Sequence, residues 1–357
     1  MSGKDNITTQ RNRTLDLIKG IAIILVVFGH SIQYGSGEEF YSSKAYFEYW
    51  FFQLIYSFHM PLFMLVSGYL FYYTVKKYSI KTLLISRFTK LIFPIVAWST
   101  ILFCIKFPHM FPQEGNFGLL EIIKNYVSMT IYNLWFIWAV FYCSITVIIV
   151  NKFFRDSILV YGIIGVIMLV TPDIYNSNLY KFMYPYFILA YLFSKYKLIL
   201  KVSQLSKRSK GWIGIITLIM YFGLFSFYNY NIFIYTTGIT LLEKNISSQL
   251  AIDIYRWLIG LLGSGCMIGI GTLLIGKKFS VVSINNILQS LGKNSIGIYI
   301  ISTMFINDDI LLPITSTYQL NIILLSIETV VILLVCYVLS KAIQQFKWSN
   351  RALLGSR

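Results

Sequence analysis

The chain has 357 residues, of which 57% are hydrophobic, 17% aromatic and only 12% charged. Soluble domains carry roughly 25% charged residues. That deficit, with apolar runs recurring from end to end, excludes a soluble globular enzyme and points to an all-α polytopic membrane protein. Each run is long enough to cross a hydrocarbon core of ~30 Å, and the runs are continuous rather than alternating, which argues against a β-barrel. The formal charge of +16 invites a nucleic-acid partner. Its distribution instead points to topology and to attraction for anionic membrane lipids.

Ten spans are predicted, at 15–34, 49–74, 85–107, 131–150, 157–171, 181–200, 211–234, 253–275, 286–306 and 320–340. With the N-terminus in the cytoplasm, 24 of the 30 Lys and Arg fall on the cytoplasmic side and ten of the 14 acids, such as Asp308 and Asp309, fall outside. The even number of spans returns the C-terminus to the cytoplasm. Residues 1–14 are then a cytoplasmic N-terminal segment and 341–357 a cytoplasmic tail, within a single integral-membrane domain covering 1–357. The longest outer connections, 35–48 and 108–130, are large enough for a lid or groove but not for a globule. No duplicated half and no repeat period is visible.

The first span carries LDLIKGIAIILVVFGHSIQY. Lys19 within this helix, after a hydrophilic start and with no small-x-small site, argues against a cleaved signal. Lys19 and His30 are eleven positions apart and so return to nearly the same helix face, separated by ~16 Å along the axis. Asp16 lies one turn before Lys19 and is placed to pair with it. An intramembrane histidine faces a bundle interior or a wet cavity; the alternatives here are a functional group or a packed side chain bonded to a neighbouring helix. The second span contains YSFHMPLFMLVSGYLF. His59 follows Tyr56 by one turn, Pro61 is expected to kink or loosen the helix, and His59 falls near the depth of His30. It either shares a polar chamber with His30 or satisfies carbonyls freed near the proline.

The third span opens with SRFTKLIFP. Arg87 and Lys90, three residues apart, join Lys19 as a cationic mouth suited to a polyanion, or serve singly as positive-inside anchors. Tyr46, Tyr49, Trp50, Tyr132 and Trp135 suit either an interfacial aromatic belt or a surface for stacking a sugar. Arg256, beside Asp253 on the eighth span, is placed either to touch the acceptor or, as the spacing favours, to form a local ion pair. Glu328, the one acid in the middle of a predicted span, is placed either to orient a histidine or to bond a neighbouring helix. The four cysteines, Cys104, Cys143, Cys266 and Cys336, show no metal or disulfide spacing, and no metal site is expected.

The succession RTLDLIKGIAIILVVFGHS, YSFHMPLFMLVSGYLF, SRFTKLIFP, NLWFIWAVF and LGKNSIGIYI resembles membrane acyltransferase family 3, with the fucose-O-acetylase-like members nearest. The resemblance covers essentially the whole chain. It implies about ten transmembrane helices in a bacterial inner membrane, with acyl transfer from cytoplasmic acetyl-CoA to a hydroxyl of a cell-envelope or exported carbohydrate. No bound cofactor is implied beyond that donor. His30 matches the family's essential histidine. Lys19 stands where the family has an arginine, and Arg87 and Lys90 match its paired basic motif. Two of these cations are lysines here, so the bidentate grip of arginine is replaced by a point charge. Trp138 to Phe141 offer no glutamate after the Leu-Trp-Phe motif, and Ser302 stands where many members have a histidine beyond the Tyr299 motif. His30 is then either the base for the attacking hydroxyl or a transient acyl carrier. His59, Tyr56, Trp135, Glu328 and Tyr299 are the candidates for acceptor contact or support. The rival reading is a transporter or flippase for a glycan or lipid-linked sugar.

Overall fold

The computed structural model describes residues 13–35, 45–111, 118–242, 245–276, 282–304 and 321–355. Most of the expected N-terminal segment, most of the connection 35–48, Lys277, Lys278, Asp308 and Asp309 lie outside the described residues. Among those described, every regular element is helical. The principal helices are α1 (Arg13–Gly35), α2 (Trp50–Tyr56), α3 (His59–Lys77), α4 (Ile80–Arg87), α5 (Phe93–Met110), α6 (Leu119–Tyr132), α7 (Trp135–Phe153) and α8 (Ile158–Leu169). They continue with α9 (Ser177–Lys195), α10 (Lys207–Phe225), α11 (Ile246–Gly276), α12 (Val282–Lys293), α13 (Ser295–Ile301), α14 (Ile322–Gln345) and α15 (Lys347–Leu354).

Each of the ten expected spans coincides with one or more of these helices. Six stretches are long and apolar enough to cross a membrane: Arg13–Tyr34, Trp50–Lys77, Ile80–Met110, Trp135–Phe153, Ile246–Leu274 and Ile322–Gln345. Ile158–Leu169 and Ser295–Met304 are apolar but shorter. The last of the six is the most apolar, yet only 28% of its central window is buried. Leu334 and Val338 stand outward at 60% and 62% exposure. Such a surface is tolerable in hydrocarbon and not in water, so the chain is a multi-pass membrane protein. The connection expected at 108–130 holds helix α6, which lies against α5 with none of its residues buried.

The interior is organised around α1 and α3. Backbone meets backbone where α1 crosses α12: a Cβ on Gly292 would lie 2.7 Å from the Asp16 carbonyl carbon and 2.8 Å from the Gly20 nitrogen. Gly20 faces the Leu288 backbone in the same way. Glycine is required at this crossing because no side chain fits between the two helices. Helices α3 and α9 meet as closely at Gly68, beside the Phe187 backbone.

The second expected span is broken in two. The helix stops at Tyr56, and Phe58 (φ −144°) restarts it with Pro61 in the first turn of α3. A proline there forfeits little, because first-turn N–H groups have no intrahelical acceptor. The break thus falls upstream of Pro61 rather than at it. The imidazole of His59 takes up the local slack: Nδ1 lies 2.8 Å from the Ile55 carbonyl oxygen. Between α4 and α5, residues Phe88–Ile92 form a π-helical turn. Such turns insert an extra residue and shift the faces that follow.

Tyr46 is fully buried, its ring 5.1 Å from Phe52, so it belongs to an aromatic core cluster rather than to a belt. Trp50 and Tyr132 remain about half exposed. The segment 229–242 is pinned from two sides. Asp173 Oδ2 accepts from the backbone N–H groups of Ile239 and Thr240, at 2.8 and 3.1 Å. Arg256, 2% exposed, donates to the carbonyls of Ile232, Phe233 and Gly238, to Thr237 and to Asp253, the last at 2.8 Å. The local Asp253–Arg256 pair expected from spacing is present.

Candidate active site

Lys19, Ile23 and Val26 form one stripe on α1, spaced i, i+4, i+7, and line a cavity of about 190 Å³. Met60, Phe63, Val66 and Ser67 of α3 form a second wall, Phe136, Ile137 and Val140 of α7 a third, and Lys293, Ser295 and Tyr299 a fourth. The charged groups of this lining are Lys19 and Lys293. They come together because Gly292 seats its backbone on the Asp16–Gly20 turn, so the residue after Gly292 arrives beside Lys19. Asp16 pairs with Lys19 at 3.0 Å. Two cations against one acid leave this end of the cavity positive, while the rest of the wall is almost wholly apolar.

Extended by one turn, the stripe reaches His30, ~6 Å beyond Val26 along the helix axis. His30 is partly buried. Neighbouring residues gather other candidates around this turn. A Cβ on Gly29 would lie 2.8 Å from Tyr56 Cε2, so α1 meets the Tyr56 ring directly. The Tyr56 hydroxyl donates to Gln33 Oε1 at 3.4 Å, and its ring centroid is 4.7 Å from that of His59. From the other side, Thr329 donates to Ser31 Oγ at 3.1 Å. Glu328 is the residue before Thr329 on α14, and its Oε1 is buried with no partner among the described residues. Tyr56 and Thr329 therefore attend the turn that carries His30, with His59 and Glu328 beside them.

A second, smaller cavity of about 30 Å³ is lined by Tyr56, His59, Trp135 and Arg256. Met60 belongs to the walls of both cavities. Trp135 comes from the first turn of α7, whose N-cap Leu134 has a left-handed backbone (φ 51°). That turn carries Trp135 to the smaller cavity and Phe136 to the larger.

A family model described as an acyltransferase domain matches residues 12–341. The chain belongs to the acyltransferase 3 family. Two curated relatives are both nodulation protein NolL. The one from Mesorhizobium japonicum is 31% identical over 189 residues, covering 53% of this chain and 49% of the relative. The one from Sinorhizobium fredii is 32% identical over 192 residues, covering 52% and 49%. The chain thus matches about half the length of either relative. No solved structure matches it.

In this family member, the paired basic residues of the third span do not share one face. The Arg87 guanidinium lies over the Phe71 ring, 4.7 Å from its centroid, and Arg87 Nε is buried with no partner among the described residues. Lys90 is exposed. The π-helical turn begins between them and rotates the second away from the first. Neither lines the larger cavity; Leu91 is the residue this segment contributes to its wall. Here α15 is docked against the same segment. Trp98 Nε1 donates to the Leu353 carbonyl at 2.8 Å, and Gly355 (φ 62°) abuts the Lys90 carbonyl. Lys293 was not singled out from the sequence, although it stands within the acyltransferase-like LGKNS motif. Tyr299, from the same motif, lines the larger cavity and sets its ring 6.0 Å from that of Phe136.

Proposed function

We propose that this acyltransferase is an integral-membrane O-acyltransferase that moves an acetyl group from cytoplasmic acetyl-CoA to a hydroxyl of a cell-envelope or exported carbohydrate in a bacterial inner membrane. The observation that carries the reading is the α1 stripe: cations at one end of a narrow apolar cavity, and an imidazole ~16 Å further along the same helix face. A thioester donor has the matching polarity. Its phosphates suit Lys19 and Lys293, and its long, nearly uncharged arm suits the apolar wall. Arg87 and Lys90 line neither cavity; in this reading they act at longer range, as further cations attracting a polyanion from the cytoplasm.

In this mechanism His30 takes the proton of the attacking hydroxyl. The hydroxyl oxygen bonds to the thioester carbonyl carbon, the carbon–sulfur bond breaks, and the thiolate of CoA recovers the proton from the imidazolium. The cycle returns His30 to its starting state and needs no further reactant. Tyr56 and Thr329 hold the turn on which His30 stands, through Gln33 and Ser31.

The test is acetyl transfer by purified protein in lipid nanodiscs. His30→Ala should lower transfer at least 10³-fold, within the range of about 10²–10⁴ for general acid–base groups and beyond it where the base is indispensable, while insertion and CoA binding stay intact. Undiminished turnover in that variant would rule out the assignment. Rapid quenching should trap no acetylated protein; an acetyl group found on His30 would replace the base role with a carrier role.

A further inference from the structure

Resting on the O-acyl transfer reading above, we propose that the smaller cavity is the acceptor subsite, in which His59 Nε2 accepts a hydrogen bond from one neutral sugar hydroxyl. His59 is 4% exposed and sits at the break between α2 and α3. The Ile55 carbonyl, 2.8 Å from Nδ1, can only accept. Nδ1 therefore carries the proton, and Nε2 of the neutral ring presents a lone pair. Among the described residues nothing donates to it. His59 lines the smaller cavity, so this nitrogen is open to a donor from outside the chain.

The surroundings define the donor. Tyr56 and Trp135 supply aromatic surface beside it, which suits the apolar face of a sugar ring. Arg256 also lines the cavity, but its five N–H donors are all engaged within the protein, one of them by Asp253. The cavity thus offers no unsatisfied positive charge to an acidic sugar or a phosphate. A volume of about 30 Å³ has room for about two waters, at ~10–15 Å³ each. It admits a hydroxyl but not a ring, so the ring must lie at its opening. Met60, common to both cavities, puts the held ring beside the larger cavity, so a different hydroxyl of that ring, whose proton His30 takes, faces the donor. His59 is accordingly an acceptor-binding residue that sets which hydroxyl is acylated.

The test compares cells carrying the wild type, His59→Asn and His59→Gln. The asparagine amide can still donate to Ile55 but reaches no further; glutamine places an acceptor oxygen near the Nε2 position. Two quantities are measured: acetyl content of extracted cell-envelope carbohydrate by mass spectrometry, and the rise in melting temperature that CoA gives the purified protein. The expected result is an approximately tenfold or greater loss of acetylation in His59→Asn, with the CoA-induced rise unchanged and clear recovery in His59→Gln. Wild-type acetylation in His59→Asn would mean that Nε2 holds only water and would overturn the proposal. Equal losses in both variants with a lowered melting temperature, or loss of the CoA effect, would overturn it in favour of a structural or donor-side role. Full acetylation in His30→Ala would defeat the base assignment while leaving the His59 comparison standing. A wild type that adds no acetyl to any carbohydrate would end the transfer reading and this one with it.

Discussion

Gly292→Ala is expected to damage catalysis well beyond its size. A methyl group there would sit 2.7 Å from the Asp16 carbonyl carbon and 2.8 Å from the Gly20 nitrogen. Carbon atoms rest comfortably at about 3.5–4.0 Å. The Asp16 carbonyl oxygen is closer still, so the α1–α12 crossing must open by more than about 1 Å, since these neighbours are helix backbone and cannot rotate away. Overpacking of this kind costs about 1–3 kcal/mol. The displacement falls where Lys19 and Lys293 share the cavity mouth, and a misplacement of ~1 Å can cost about 10²-fold in rate. Thermal unfolding of the purified protein and steady-state transfer kinetics measure the two effects. Gly214→Ala is the control: it lies within α10, where a Cβ meets nothing within 4 Å. In a helix interior that change should be neutral or stabilising, by up to about 1 kcal/mol. If Gly292→Ala melted and turned over like Gly214→Ala, the close crossing and the mouth built on it would both be wrong.

Lys19→Glu and Lys293→Glu should each raise the apparent KM for acetyl-CoA, by about tenfold or more, and leave kcat nearly unchanged; donor-independent losses would refute the mouth. Arg256→Leu should destabilise the fold by about 3–5 kcal/mol, because it strands the buried Asp253 carboxylate and releases the carbonyls of segment 229–242; a denaturation midpoint equal to wild type would contradict that. His30→Ala, in contrast, should melt like the wild type and fail only in transfer.

Periodicity made much of this arrangement readable in advance. The Lys19-to-His30 stripe follows from 3.6 residues per turn, and the Asp16–Lys19 and Asp253–Arg256 pairs follow from i,i+3 spacing; all three depend on one helix alone. Composition gave the helical membrane class for the same reason, since each span announces itself. Features that depend on two elements were not readable. Lys293 looks like one more positive-inside residue until Gly292 is seen against the α1 backbone. Arg87 and Lys90 look like one face until the π-helical turn separates them. His59 was placed near a proline-induced weakness, but the break lies upstream of Pro61 and the ring bonds across it to Ile55. Tyr46 was grouped with interfacial aromatics, whereas tertiary packing buries it against Phe47 and Phe52.

Met60, an unbranched thioether, is common to the walls of the two cavities. Methionine reshapes at little cost because its rotors are soft, and Met60 sits on α3, which is anchored at Gly68 against α9. Under the proposed transfer, such a side chain would bend aside for a passing acyl group and swing back behind it, so the two cavities would exchange a small group without standing open to each other.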